Sequence, residues 1–183
     1  MTHVLETPRL LLRQWNMNDV DAAFKIYGDP AVMHHIGKGV SDPTIDVTRQ
    51  KIARIMNHYV RYGFGLWAMV DTSNHEIVGT CGLKRLDGGL HVELGYHIRQ
   101  DRWGMGYATE GARACVQFGF ETLGLHRIVA VTNPNHQASI HVLEKTGLRS
   151  IGYGYFYRTQ VNVFEILAHE YLRDTPVKTR RTA

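Results

Sequence analysis

Residues 101–110, Asp-Arg-Trp-Gly-Met-Gly-Tyr-Ala-Thr-Glu, constrain the fold of this chain more than any other segment. They follow an alternating apolar run at 91–98, His-Val-Glu-Leu-Gly-Tyr-His-Ile, and open an amphipathic stretch over 107–123. Alternation with period two predicts a strand, and the 3.6-residue spacing predicts a helix. A strand, a glycine turn and a helix in that order leave a helix N-terminus at the strand's end. The first N–H groups there have no intrahelical partners and, with the helix dipole behind them, favour an anion. Gly104 and Gly106 allow the backbone to bend and to approach a pyrophosphate closely. The same glycines would also serve a plain connector. Thr109 stands where a dinucleotide fingerprint needs its third glycine, and no Gly-Lys-Ser/Thr of a P-loop follows.

The rest of the chain alternates in the same manner. Strands are predicted at 9–14, 66–70, 77–86, 91–98, 127–132, 150–157 and 161–171, the last two as a hairpin. Helices are predicted at 18–27, opened by Asn16 or Asn18, at 31–35, at 45–62 ended by Gly63 and Gly65, at 107–123, and at 137–145 closed by Gly147. A glycine- and proline-marked loop spans 37–44. The sum is a mixed α/β domain with a largely antiparallel sheet and helices packed on it. Residues 1–175 are expected to form this one domain. Residues 176–183, with Lys178, Arg180 and Arg181, are expected to be a flexible basic tail.

Several function classes drop out on composition. No apolar run approaches the roughly 18 residues of a membrane span. The N-terminus lacks a secretory pattern, and the two cysteines, Cys81 and Cys115, fall in apolar patterns. A reduced, cytoplasmic protein with buried thiols is expected. The net charge of +4 is scattered or in the tail. No basic helix interleaved with aromatics appears, so sequence-specific nucleic-acid binding is not expected. Mild basicity also suits a protein that holds a polyanionic ligand. Among 11 histidines, His34 and His35 are adjacent and His136 and His141 are five apart. Neither pair converges on one helix face, and no His-Glu-x-x-His occurs, so no metal is expected.

The turn, read with four other segments, resembles the acyl-CoA pyrophosphate loop of the GNAT superfamily of N-acyltransferases. Its form, Trp103-Gly104-Met105-Gly106-Tyr107-Ala108-Thr109-Glu110, is similar to the RimJ/RimL-like branch, which acetylates N-termini of ribosomal proteins. The other segments are Thr7-Pro8-Arg9-Leu10-Leu11-Leu12-Arg13, Asp29-Pro30-Ala31-Val32-Met33, Glu93-Leu94-Gly95-Tyr96, and the stretch from Ala138 to Leu148. They occur in family order and cover residues 7 to about 172.

The resemblance implies a GNAT fold whose mostly antiparallel sheet splays between the family's fourth and fifth strands, with helices on both faces. It implies acetyl-CoA as cosubstrate, with no metal and no membrane. The pantetheine arm would lie in the splay and pair with main chain around Tyr96, His97 and Ile98, a strand-like addition at a parted edge. Trp103, Gly104, Met105, Gly106, Tyr107, Ala108 and Thr109 would seat the pyrophosphate. The reaction would be direct attack of a primary amine, on a protein N-terminus or a small molecule, on the thioester. The run at 91–98 places Glu93, Gly95 and His97 on one face and Val92, Leu94 and Tyr96 on the other. Glu93 is then a base acting through water, or a surface carboxylate. Glu165 is a second base candidate, or a paired strand carboxylate.

Leu143 stands where many superfamily members carry an acidic tyrosine. Ser139 becomes the candidate proton donor to the thiolate, or a helix serine bonded to its own backbone. His136 stands where Asn-x-x-Ser has its asparagine, and Asn135 could replace it at the cofactor. The loop 37–44, the helix 45–62, Trp15, Trp67 and Tyr157 would shape the acceptor pocket. Two other readings remain open: a non-catalytic acyl-CoA sensor or scaffold, and a basic ribosome- or RNA-associated protein. The final hairpin would offer an edge for a homodimer.

Overall fold

The computed structural model describes residues 5–174, so the tail expected over 176–183 lies outside the described residues. In chain order the elements are β1 (Leu5–Glu6), β2 (Leu10–Arg13), α1 (Val20–Tyr27), α2 (Pro30–Met33), α3 (Ile45–Tyr62), β3 (Leu66–Asp71), β4 (Ile77–Arg85) and β5 (Val92–Ile98). They continue with α4 (Tyr107–Glu121), β6 (Arg127–Thr132), α5 (Gln137–Lys145), β7 (Arg149–Phe156), β8 (Thr159–Leu167) and α6 (Ala168–Asp174). The strands form one eight-stranded sheet in the order β1-β2-β3-β4-β5-β6-β8-β7. Every pairing is antiparallel except β5 with β6.

Local chemistry sets the helix ends. The side chain of Asn16 accepts from the Asn18 N–H, and the Asp19 carboxylate accepts from the Asn16 N–H, a reciprocal cap at the entry to α1. Gly63, at φ 76°, closes α3 by donating its N–H to the Tyr59 carbonyl. Alternation along β3 then divides the core. Trp67 and Met69 pack with Ala112, Cys115 and Phe118 of α4 on one face, while Ala68 and Val70 pack with Ala23 and Ile26 of α1 and Ile52 of α3 on the other. The helix α4 rides close on the sheet, since a Cβ at Gly111 would come within 2.7 Å of the Met69 methyl.

The sheet parts in its middle. β4 and β5 share seven register pairs, from Gly79 with Ile98 to Arg85 with Val92. β5 and β6 share one, Glu93 with Val129. Beyond Glu93 the strands diverge, and one edge of residues 94–98 has no strand beside it.

Two elements differ from expectation. The last strand stops at Leu167 and the chain turns into α6, where a strand to 171 was expected. The Glu170 carboxylate accepts the Leu167 N–H at 2.9 Å and caps this helix, an interaction that alternation alone does not encode. The short β1 also pairs with β2, Leu5 opposite Leu12. Among the described residues, no helix is long and apolar enough to cross a membrane.

Candidate active site

The splay opens into a cavity of about 960 Å³. One end is the glycine turn, with Gly104 at φ 74° and Gly106 at φ 83°. The first hydrogen bond of α4 runs from the Glu110 N–H to the Gly106 carbonyl, 3.1 Å. The N–H groups of Tyr107, Ala108 and Thr109 therefore precede it without intrahelical acceptors. A buttress from the chain's beginning holds the turn. Arg9 donates to the Met105 carbonyl at 2.8 Å, pairs with the Glu110 carboxylate at 2.6 Å, and lies 4.8 Å over the Tyr107 ring. Thr7 donates to the same carboxylate at 2.6 Å. The Tyr107 hydroxyl donates to Asp71, and together with Ser73 it holds that carboxyl down at about 2. The Trp103 indole donates to the Ile98 carbonyl at 2.8 Å, fastening the turn to the end of β5.

In the middle of the cavity, the Tyr96 hydroxyl lies 3.0 Å from both the carbonyl and the Oγ of Ser139, in the first turn of α5. Burial pushes the Tyr96 hydroxyl up, so it remains a donor. His136 precedes α5 and stacks on His35 with ring centroids 4.3 Å apart; His34 meets His35 at 4.6 Å. Burial pushes His136 down to about 4, aided by His35 and His34. Burial likewise pushes His97 down to about 3; its Nδ1 is buried without a partner and its ring meets Tyr27 edge-on. His97 and His136 are therefore neutral at pH 7.

The two imidazoles carry a stability signature. In the unfolded chain they take up protons near 6.5, whereas the folded chain resists until about 3 and about 4. The native state thus binds fewer protons in that window, and stability falls as pH drops from 6.5 toward 4. Thermal melts at stepped pH are expected to show Tm falling across it, with a shallower slope for His97→Gln. A parent Tm that stays level down to about pH 4.5 would contradict this origin.

At the far end sits Glu93, buried to 4% exposure. Lys84, its register partner on β4, donates to its Oε2 at 2.7 Å, and the Tyr157 hydroxyl donates to the same oxygen. Burial opposes the Lys84 charge, but Glu93 and Tyr157 outweigh it and raise this ammonium above its ordinary value.

The cavity brings together Glu93, Tyr96, His97, Ile98, Trp103, Gly104, Gly106, Tyr107, Ala108, Thr109, Asn135, His136 and Ser139. It leaves out Glu165, which is bound instead by Arg127 and Arg149, each at 2.9 Å. Met105 contributes its carbonyl to Arg9 and points its side chain outward. Trp15 and Trp67 are core residues, and α3 packs on the sheet away from the cavity. The wall expected from 37–44 and 45–62 comes mainly from α2 and the residues after it, including Val32, His35 and Ile36. Lys84 and the Arg9 buttress were missed. Their partners lie 9 and about 100 residues away in sequence, beyond any local pattern. Among the described residues, no group of three or more His, Cys, Asp or Glu side chains is placed to hold a metal.

Residues 9–149 match the model of the acetyltransferase (GNAT) domain. The chain belongs to the GNAT acetyltransferase family. YoaA of Bacillus subtilis, named as an uncharacterized N-acetyltransferase, is 31% identical over 156 residues, covering 83% of this chain and 86% of that protein. A GNAT acetyltransferase from Bacillus anthracis superposes with a TM-score of 0.79 at 26% identity, covering 91% of this chain and 99% of that one. RimJ of Mycobacterium smegmatis, solved with CoA-disulfide, gives a TM-score of 0.74 at 22% identity, covering 92% of this chain and 88% of that one. The last is a likeness of fold alone. GNAT acetyltransferases use acetyl-CoA, and several homologues are named N-acetyltransferases. This GNAT chain is an acyltransferase with the family's splayed sheet. The family's fourth and fifth strands are its β5 and β6, because β1 adds one to the count.

Proposed function

We propose that this chain transfers the acetyl group of acetyl-CoA to a primary amine, on a protein N-terminus or a small molecule. The observation that carries this reading is one cavity joining an anion-favouring helix end, an unpaired strand edge and a buried carboxylate. The residues present fit acetyl-CoA. The amides of Tyr107, Ala108 and Thr109, beside Gly104 and Gly106, suit the pyrophosphate. The free edge at 95–98 suits the amides of the pantetheine arm, with Asn135 and His136 beside it. When bound, acetyl-CoA supplies a thioester carbonyl open to attack.

The chain's own groups supply proton handling. Glu93 takes a proton from the incoming ammonium, directly or through a water, leaving the amine's lone pair free. The Ser139 hydroxyl passes a proton to the departing sulfur and takes up in its place the second proton that the nitrogen sheds as the amide forms, with Tyr96 orienting it through their 3.0 Å contact. Glu165 has no part in this scheme. The buried free thiols Cys81 and Cys115 suit a reducing compartment such as the cytoplasm. The edge strand β7, exposing Ile151, Tyr153 and Tyr155, suits pairing of two copies.

A thermal-shift series with acetyl-CoA, CoA and ATP tests the cosubstrate. A ligand at 100 times its Kd stabilises the native state by about 2.7 kcal/mol, so both CoA species are expected to raise Tm and ATP much less. No shift with either CoA species would sink the reading. Thiol release with peptide N-termini and with small amines then separates the two acceptor classes.

A further inference from the structure

Backbone strain in this protein is concentrated at one contact. Four non-glycine residues among those described have positive φ, and three of them meet: Asp87 at 46°, Tyr157 at 53° and Arg158 at 62°. Tyr157 and Arg158 are the two-residue turn joining β7 to β8. Such a turn needs left-handed backbone at both positions, and Asn-Gly is the usual solution. A tyrosine and an arginine there cost free energy that something else must offset. Asp87, in the connection before β5, is strained in the same sense and clasps the turn. Its Oδ2 accepts the Tyr157 N–H at 3.1 Å, and its own N–H donates to the Tyr157 hydroxyl oxygen at 3.1 Å.

The clasped phenol reaches the carboxylate. The Tyr157 O–H donates to Glu93 Oε2, and Lys84 donates to the same oxygen while lying 4.5 Å over the phenol ring. The phenol's single proton goes to Glu93, and its lone pairs receive the Asp87 N–H and the Lys84 ammonium. Oε2 thus holds two donors, and Oε1 holds none among the described residues. The carboxylate is fixed from one side and left open on the other.

We infer that Tyr157 is a positioning residue for acetyl transfer: set by the strained turn and the Asp87 clasp, it locks Glu93 through Oε2 so that Oε1 alone serves the acceptor amine. This rests on Glu93 being the base. Lys84 alone would leave the carboxylate free to swing about one contact. The second donor, arriving from a different strand pair, removes that freedom, and small losses of alignment carry large rate penalties. An Asn-Gly turn would relieve the backbone but could not carry the phenol.

Three variants test the inference. Tyr157→Phe is expected to lower kcat about tenfold, with KM for acetyl-CoA unchanged and Tm close to the parent. Arg158→Gly keeps the phenol and relieves one strained position, so Tm is expected to rise with kcat retained. The double variant Tyr157→Asn, Arg158→Gly should combine the higher Tm with the lower kcat, a split that a merely structural tyrosine would not give. The 13C resonance of the Glu93 carboxyl should move in Tyr157→Phe and stay in Arg158→Gly, whether or not Glu93 is the base. A Tyr157→Phe variant with parental kcat and an unmoved Glu93 resonance overturns the positioning role. A moved resonance with parental turnover in Glu93→Gln overturns the base reading instead.

Discussion

Glu93→Gln is expected to lower kcat by about 100- to 1,000-fold while acetyl-CoA binding stays within about twofold of the parent. The amide keeps the shape of the carboxylate and can still accept from Lys84, so the cross-strand contact survives. What it loses is the capacity to take a proton. In the proposed reaction the acceptor amine arrives at neutral pH as an ammonium, and its nitrogen lone pair forms no bond until that proton leaves. Glu93 is the cavity carboxylate with an oxygen unengaged among the described residues. Steady-state kinetics with a thiol-release readout, alongside isothermal titration of acetyl-CoA, separates the chemical step from binding. A Glu93→Gln protein that folds normally and keeps more than about a tenth of parental kcat would remove Glu93 from the reaction.

Gly106→Val strikes the other end of the site. Gly106 sits at φ 83°, immediately before α4, and any Cβ there would come 3.4 Å from the Arg9 guanidinium. Left-handed backbone costs an ordinary residue about 1–2 kcal/mol, and a β-branched one more. The turn would relieve that strain by rotating, which swings the Tyr107 and Ala108 amides away from the position that suits a pyrophosphate. KM for acetyl-CoA is expected to rise about tenfold or more, with kcat at saturation far less affected. Circular dichroism should match the parent, since the change lies outside both core clusters. An unchanged KM would mean that the anion is held elsewhere.

Much of the frame was legible because it is local. Apolar spacing and glycine stops predict α3 at 45–62 and α5 at 137–145 with their observed limits, and β6 follows from a short β-branched run. The turn was legible as a glycine-bearing connection between a strand and a helix, with both glycines at positive φ, while its reading as a pyrophosphate seat came from the family resemblance and not from the glycines alone. The Glu93 end of the cavity was half legible. Alternation along 91–98 put Glu93 and His97 on one face, but Lys84 and Tyr157 reach Glu93 from 9 and 64 residues away. Glu165 shows the limit most clearly. It lies in register with Val129, which is in turn in register with Glu93, so a base on that strand was a fair expectation. Its side chain is nevertheless taken by Arg127 and Arg149, and no local pattern says which of two carboxylates in one row will find arginines.

The Arg9 buttress has a consequence for how the protein comes into being. The contact from Arg9 to the Met105 carbonyl closes a loop of 96 residues. Arg9 itself immediately precedes β2, which pairs with β3 from Leu10 opposite Asp71 to Arg13 opposite Ala68. The proposed seat for the cosubstrate therefore rests on a non-local contact, absent from any partly folded chain whose first strands are still loose. Contacts of such separation form late and set the pace of folding. A ligand that binds this seat selects the finished sheet alone, so a nascent or damaged chain gains no protection from the cell's acetyl-CoA until its N-terminal strand is home.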